Sequence, residues 1–180
     1  MTAPAIGPPP ARRVLGGHRA RGNGDAWEAA LQTLYFKPLV TRGHVVRVDK
    51  LGPPARAVWD SRRRCATLVP TAPGPADFWL LLPGGRSAIV EAKSTADERF
   101  YRDEIPAHQV KHLDQAAESG AGAFLAVQFR AGPSSTAFLA PWRALEWIKV
   151  RTAESVTAAD LTAFALNSWQ DAARILGAKL

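Results

Sequence analysis

Asp77 and Glu91 lie fourteen positions apart, and each borders an apolar run: Asp77 heads Phe78 to Leu82, and Glu91 closes Ser87-Ala88-Ile89-Val90 before Ala92 and Lys93. The turn Pro83-Gly84-Gly85-Arg86 between the runs predicts a strand pair that brings the two carboxylates together. Alternation along a strand puts Glu91 and Lys93 on one face and Ala92 on the other. A hard divalent cation between the two acids, with an ammonium beside it to hold a water, is the chemistry of metal-dependent phosphodiester cleavage. Taken singly the residues say little. Surface strands often alternate acid and base, and aspartate is common in a turn after a proline such as Pro75. Glu91 differs because it follows a run that reads as buried, where a carboxylate is costly without a cation or partner.

Other residues are candidates with competing readings. Asp25-Ala26-Trp27-Glu28 fits a capping box, yet Glu28 also borders the apolar helix face marked by Trp27 and Leu31 and could point into a site. His108 and His112 are four apart on a predicted helix, but Gln109 stands where an H-E-x-x-H motif needs its acid, so that motif is absent. The two histidines read as solvent-facing or phosphate-contacting. Gln109 reads either as a residue that orients a water on the metal or as an ordinary exposed helical glutamine. Arg56, Arg62, Arg63 and Arg64, with Trp59 between them, look like a phosphate-binding loop with a stacking aromatic, against the plainer reading of a solvated charged loop. Of the six tryptophans, Trp27, Trp79, Trp142 and Trp147 fit apolar faces and read as packing.

Charge narrows the substrate. Net charge is +7, and residues 1–64 carry 12 Lys/Arg against 4 Asp/Glu while residues 65–180 carry 11 against 12. A basic segment on a nearly neutral body points to a polyanionic partner, although a membrane surface would also attract it. No apolar run reaches the ~18 residues of a spanning helix, residues 1–24 hold no signal-like apolar stretch, and the single cysteine, Cys65, rules out an intrachain disulfide. The simplest compartment is the cytoplasm, with no membrane role.

The elements that must position these groups read as follows. Residues 1–24 contain four Pro, five Gly and four Arg with no acid, a composition expected of a flexible basic arm. A helix is expected from near Asp25 to before Pro38, a strand over His44 to Val48, a basic loop over residues 52–64 and a strand over Cys65 to Val69. Then come the two acid-bearing strands, 77–82 and 87–93, and a charged loop from Asp97 to Glu104. A helix starting at Pro106 and stopping at Gly120 follows, then strands over Ala123 to Phe129 and Thr136 to Ala140 joined by Ala131-Gly132-Pro133-Ser134. A short helix carries Trp142, Leu145 and Trp147, and Thr157-Ala158-Ala159-Asp160 caps another over Leu161 to Leu166.

In order, the motifs are Arg21-Gly22 leading a helix with Glu28, Pro75-Ala76-Asp77-Phe78, Ile89-Val90-Glu91-Ala92-Lys93-Ser94-Thr95, and Ile105-Pro106-Ala107-His108-Gln109. This pattern resembles the PD-(D/E)XK nuclease superfamily, and within it the Holliday-junction resolvases of the bacterial RecU and archaeal Hjc types, over residues 19 to 147. The resemblance implies an α/β, restriction-endonuclease-like fold, a central mixed β-sheet flanked by helices, with residues 25–180 forming one nuclease domain behind the 1–24 arm. It implies a homodimer that cuts a four-way DNA junction with Mg2+ or Mn2+. On it, Asp77 and Glu91 would bind the metal, Glu28 would complete the acidic cluster through a water on the metal, Lys93 would position or activate the attacking water, and Gln109 would support them. Arg12, Arg13, Arg19, Arg21, Arg56, Trp59, Arg62, Arg63 and Arg64 would hold the DNA. Ala76 separates Pro75 from Asp77, which is the RecU-like spacing. The alternatives are another endonuclease of the superfamily acting on duplex DNA, and a non-catalytic DNA-binding or architectural protein.

Overall fold

The computed structural model describes residues 17–62, 64–131, 135–145 and 155–177, and the side chains from residue 24 onward. Helix α1 spans Gly17–Ala30, a π-helical stretch Leu31–Phe36 continues it, and α2 covers Lys37–Thr41. The helix therefore begins ahead of Asp25 and runs through Pro38 instead of stopping before it. The π turn explains the tolerance of Pro38. The Lys37 N–H reaches back to Gln32 O, so the ladder is already displaced where proline has no donor to give.

The central sheet has the order β1-β4-β5-β7-β8, with β1 Arg47–Lys50, β4 Phe78–Leu81, β5 Ser87–Thr95, β7 Gly122–Phe129 and β8 Thr136–Pro141. Neighbours run antiparallel except β5 and β7, which are parallel and joined through α3, Ala107–Glu118. The mixed sheet is the expected one. The first strand is displaced from the expected His44 to Val48, because Val45 turns into the core and Val46 stays exposed before regular pairing starts at Arg47.

Two apolar layers close the sheet. On one face Trp27, Leu31, Phe36 and Leu39 pack on Phe78, Leu80, Ala88 and Val90, together with Ala172 and Ala173 of α4, Trp169–Ile175. On the other, Leu113 and Ala117 of α3 pack on Ile89, Leu125 and Val127, with Trp142, Leu145 and Leu161 beside them. Trp27 donates from Nε1 to Ala126 O at 3.1 Å, which ties α1 to the middle of the sheet. Covered on both faces, β5 and β7 read as continuous apolar runs.

Residues 52–64 are not the expected loop. Ala55–Asp60 forms β2 and pairs antiparallel with β3, Cys65–Pro70, as a separate two-stranded sheet between β1 and β4. Its residues are exposed, apart from half-buried Asp60. The charged loop after β5 likewise contains a short strand, β6 Arg99–Tyr101, paired with β9 Ser155–Thr157. Thr157 and Asp160 cap the following turn as expected, Asp160 Oδ2 accepting from Thr157 N–H at 2.8 Å, but the element is 3-10, Ala159–Phe164. Trp147, Arg12, Arg13, Arg63 and residues 132–134 lie outside the described residues. Among the described residues no helix is long and apolar enough to cross a membrane.

Candidate active site

Strand pairing builds the acid pair. Phe78 pairs with Val90, so one step further along each strand sets Asp77 beside Glu91 at the end of the hairpin. Phe78 and Val90 face the α1 layer, which turns Asp77, Glu91 and Lys93 to the α3 side. Asp77 is fixed at both ends. Its Oδ2 accepts from Ala92 N–H at 2.7 Å, and its carbonyl accepts from Leu51 N–H at 2.7 Å. It is a structural neighbour of the β5 acid, not only a residue of the turn.

Glu91 sits between β4 and β7 with no exposed surface. Lys93 Nζ lies 2.7 Å from its Oε1, yet neither Glu91 oxygen has a hydrogen-bond partner of acceptable alignment, so the contact to Lys93 is an ion pair and not an aligned hydrogen bond. Burial pushes the Glu91 carboxyl up to about 7, the Lys93 ammonium opposes that rise, and the Asp77 charge adds to it. Asp77 is raised as well, mainly by burial, with the Ala92 N–H opposing and Glu28 adding like-charge repulsion. A buried carboxylate with unfilled oxygens, next to a second one, is a poor apolar-core component and a good cation ligand.

Lys93 is held from the other side by α3, donating from Nζ to Gln109 Oε1 at 2.8 Å. Gln109 is half-buried, so the reading of an exposed helical glutamine is set aside. His108 is exposed as expected, whereas His112 is not solvent-facing: its Nδ1 accepts from Ala76 N–H at 3.1 Å and anchors the chain just before Asp77.

Glu28 approaches from the α1 face. It lies well inside the helix, so the capping role is excluded. Its Oε2 is 2.8 Å from Lys50 Nζ, and its charge reaches Asp77. Sequence reasoning missed Lys50. The signal was present in alternation, since Val48 faces the α1 layer and Lys50, two residues on, must share that face.

The residues fit a cation with limits. Among the described residues no three His, Cys, Asp or Glu side chains form a group able to hold an ion by themselves. Asp77 and Glu91 are two oxygen donors, which suits Mg2+ and Mn2+, since such ions keep several waters and complete their shell on substrate phosphates.

Of the DNA-contacting candidates, Arg56 and Trp59 lie on β2 and Arg62 and Arg64 in the turn that joins it to β3. Trp59 is 66% exposed. Alternation puts it on a face with Ala55, Ala57, Ala66 and Leu68, whereas Arg56 points to the opposite face. Arg64 adopts a left-handed backbone, φ 53°, in the turn. Arg19 and Arg21 belong to α1, and their side chains lie outside the described residues.

The family model for recombination protein U matches residues 82–170. The structure of Hjc, a Holliday junction resolvase from the archaeal hyperthermophile Archaeoglobus fulgidus, is 20% identical, with 83% of this chain and 99% of that chain covered and a TM-score of 0.47. No curated protein matches the chain. Over residues 82–170, which hold Glu91, Lys93 and Gln109, the chain is thus similar to recombination protein U, the likeness that the order of its motifs implies.

Proposed function

We propose that the protein is a divalent-metal-dependent endonuclease that resolves four-way DNA junctions by phosphodiester hydrolysis. The observation that carries this reading is the buried Glu91 carboxylate, ion-paired to Lys93 within the segment similar to recombination protein U and set beside Asp77, with no hydrogen-bond partner for its oxygens. Asp77 and Glu91 would hold Mg2+ or Mn2+, with Glu28 completing the acidic cluster. The cation supplies charge stabilisation at the phosphoryl group and lowers the pKa of the attacking water.

The chain's own groups do the rest. Lys93 presents its ammonium at the acid pair and steadies the developing hydroxide, and Gln109 fixes where that ammonium points. Arg56, Arg62 and Arg64 of the hairpin, Trp59, Arg63, and Arg12, Arg13, Arg19 and Arg21 of the basic segment hold phosphates and an exposed base without reading sequence. Residues 25–180 act as one nuclease domain behind a basic arm, and two copies related by a two-fold axis match the symmetry of the junction in the cytoplasm.

The test compares cleavage of a four-way junction with that of a linear duplex of the same arms, with and without Mg2+. Opposed, Mg2+-dependent cuts in the junction are expected. Equal cutting of both substrates would make it a duplex endonuclease, and binding without metal-dependent nicking would make it an architectural protein.

A further inference from the structure

Lys50 closes β1 at the point where the sheet meets the acids. Its Cα partner is Phe78, and the next residue, Leu51, donates its N–H to Asp77 O, so the lysine is locked one step from Asp77. Its ammonium lies 2.8 Å from Glu28 Oε2, with the lysine side chain 48% and the glutamate side chain 18% exposed. An ion pair this accessible to water adds little to stability. Its position has a larger consequence, because it occupies the third acid of the cluster, the one that does not join Asp77 and Glu91 in a group able to hold an ion.

We infer that Lys50 is a positioning residue that acts through Glu28: it keeps this carboxylate beside Asp77 in the cation-free protein and releases it as a divalent cation enters, so that Lys50 lowers the cation affinity of the site. The inference rests on the proposed cation-binding role of Asp77 and Glu91. Ammonium and cation compete for one carboxylate, and their like charges repel at short range. Across a partly solvated gap that competition is worth roughly a three- to tenfold change in affinity.

The experiment titrates the full chain with Mn2+ alone, without DNA, by calorimetry. Lys50→Ala and Lys50→Gln are expected to bind Mn2+ about three- to tenfold more tightly than wild type, while Lys50→Arg, which keeps the charge, stays within about twofold. In a Glu28→Gln background the gain from Lys50→Ala is expected to fall below about twofold, since the carboxylate it acts through is gone. Two neutral variants guard against one that fails to fold, and thermal unfolding checks each. Unchanged or weaker Mn2+ affinity in both neutral variants overturns the inference, as does a gain undiminished by Glu28→Gln. A wild-type protein that shows the Lys50–Glu28 coupling and cuts no DNA refutes the nuclease reading alone, whereas one that cuts junctions with no Lys50 effect on Mn2+ refutes this inference alone.

Discussion

Gln109 accepts a hydrogen bond from Lys93 Nζ at 2.8 Å, across the gap between α3 and β5, while the same ammonium lies 2.7 Å from Glu91. Lysine is a flexible point charge, and two fixed partners on different elements remove most of that freedom. Gln109→Ala should therefore slow single-turnover junction cleavage by roughly 10- to 100-fold while leaving substrate affinity and melting temperature nearly unchanged. A stopped assay at saturating protein measures the first, and loss of binding in place of rate would assign Gln109 to the DNA surface.

Asp77→Asn and Glu91→Gln should each abolish cleavage and leave junction binding intact or tighter. Each change removes a cation ligand and also a negative charge facing phosphate. Gel-shift and cleavage assays on the same preparations separate the two effects, and unfolding or lost binding in both variants would make the acids structural.

Stability of the cation-free protein should depend on pH through Glu91. Its carboxyl is held up to about 7 in the folded chain against an ordinary value of 4.5, so the folded state binds the proton more tightly than the unfolded one. The resulting stabilisation is full below about pH 4.5, declines as pH rises and is gone above about pH 7, a total of at most about 3 kcal/mol. Chemical denaturation from pH 4 to 8 should show this decline in wild type and a smaller one in Glu91→Gln. Mn2+ at pH 8 should stabilise wild type only; identical pH profiles for the two proteins would place the burial cost elsewhere.

Glu28→Gln should cut the cleavage rate steeply with little change in melting temperature. Because Glu28 lies inside α1 and not in its first turn, no helix cap is lost. Thermal melts beside cleavage time courses check this, and retained activity would confine Glu28 to its pair with Lys50.

Replacing Arg62, Arg63 and Arg64 with alanine should weaken junction binding and flatten its salt dependence by up to roughly three units, at about 0.9 ion for each phosphate no longer neutralised. Metal-dependent cutting at saturating protein should survive. Affinity measured from low to moderate salt is the readout, and an unaltered slope would put the DNA away from the hairpin.

What could be read from the chain depended on whether a residue's role was local. Asp77, Glu91 and Lys93 were legible because alternation and one tight turn fix their relation, and the mixed sheet was implied by the resemblance those motifs carry, the apolar runs placing only its strands. Gln109 was legible only through the motif it shares with His108, since the distance from α3 to Lys93 is set by packing. Lys50 was missed because it lies in a basic stretch, and its partner is 22 residues earlier on another layer. The β2–β3 strands were missed because Pro53, Pro54 and four arginines mask a pairing that buries nothing. His112 was misjudged because its bond to Ala76 N–H is made by tertiary approach alone.

The hairpin's independence has a consequence for how the molecule behaves in time. Its two ends are stitched together by Thr71 N–H donating to Pro54 O at 2.8 Å, and a side chain at Gly74 would come within 3.3 Å of the Pro53 backbone. With its strands exposed and no described residue in either core layer, it is expected to open and reclose more readily than the central sheet. Its amides should exchange with deuterium far sooner than those of β5 and β7. If the hairpin holds DNA as proposed, substrate choice and bond cleavage could evolve on separate clocks, because changes of length or sequence between Pro54 and Thr71 fall outside both core layers of the central sheet.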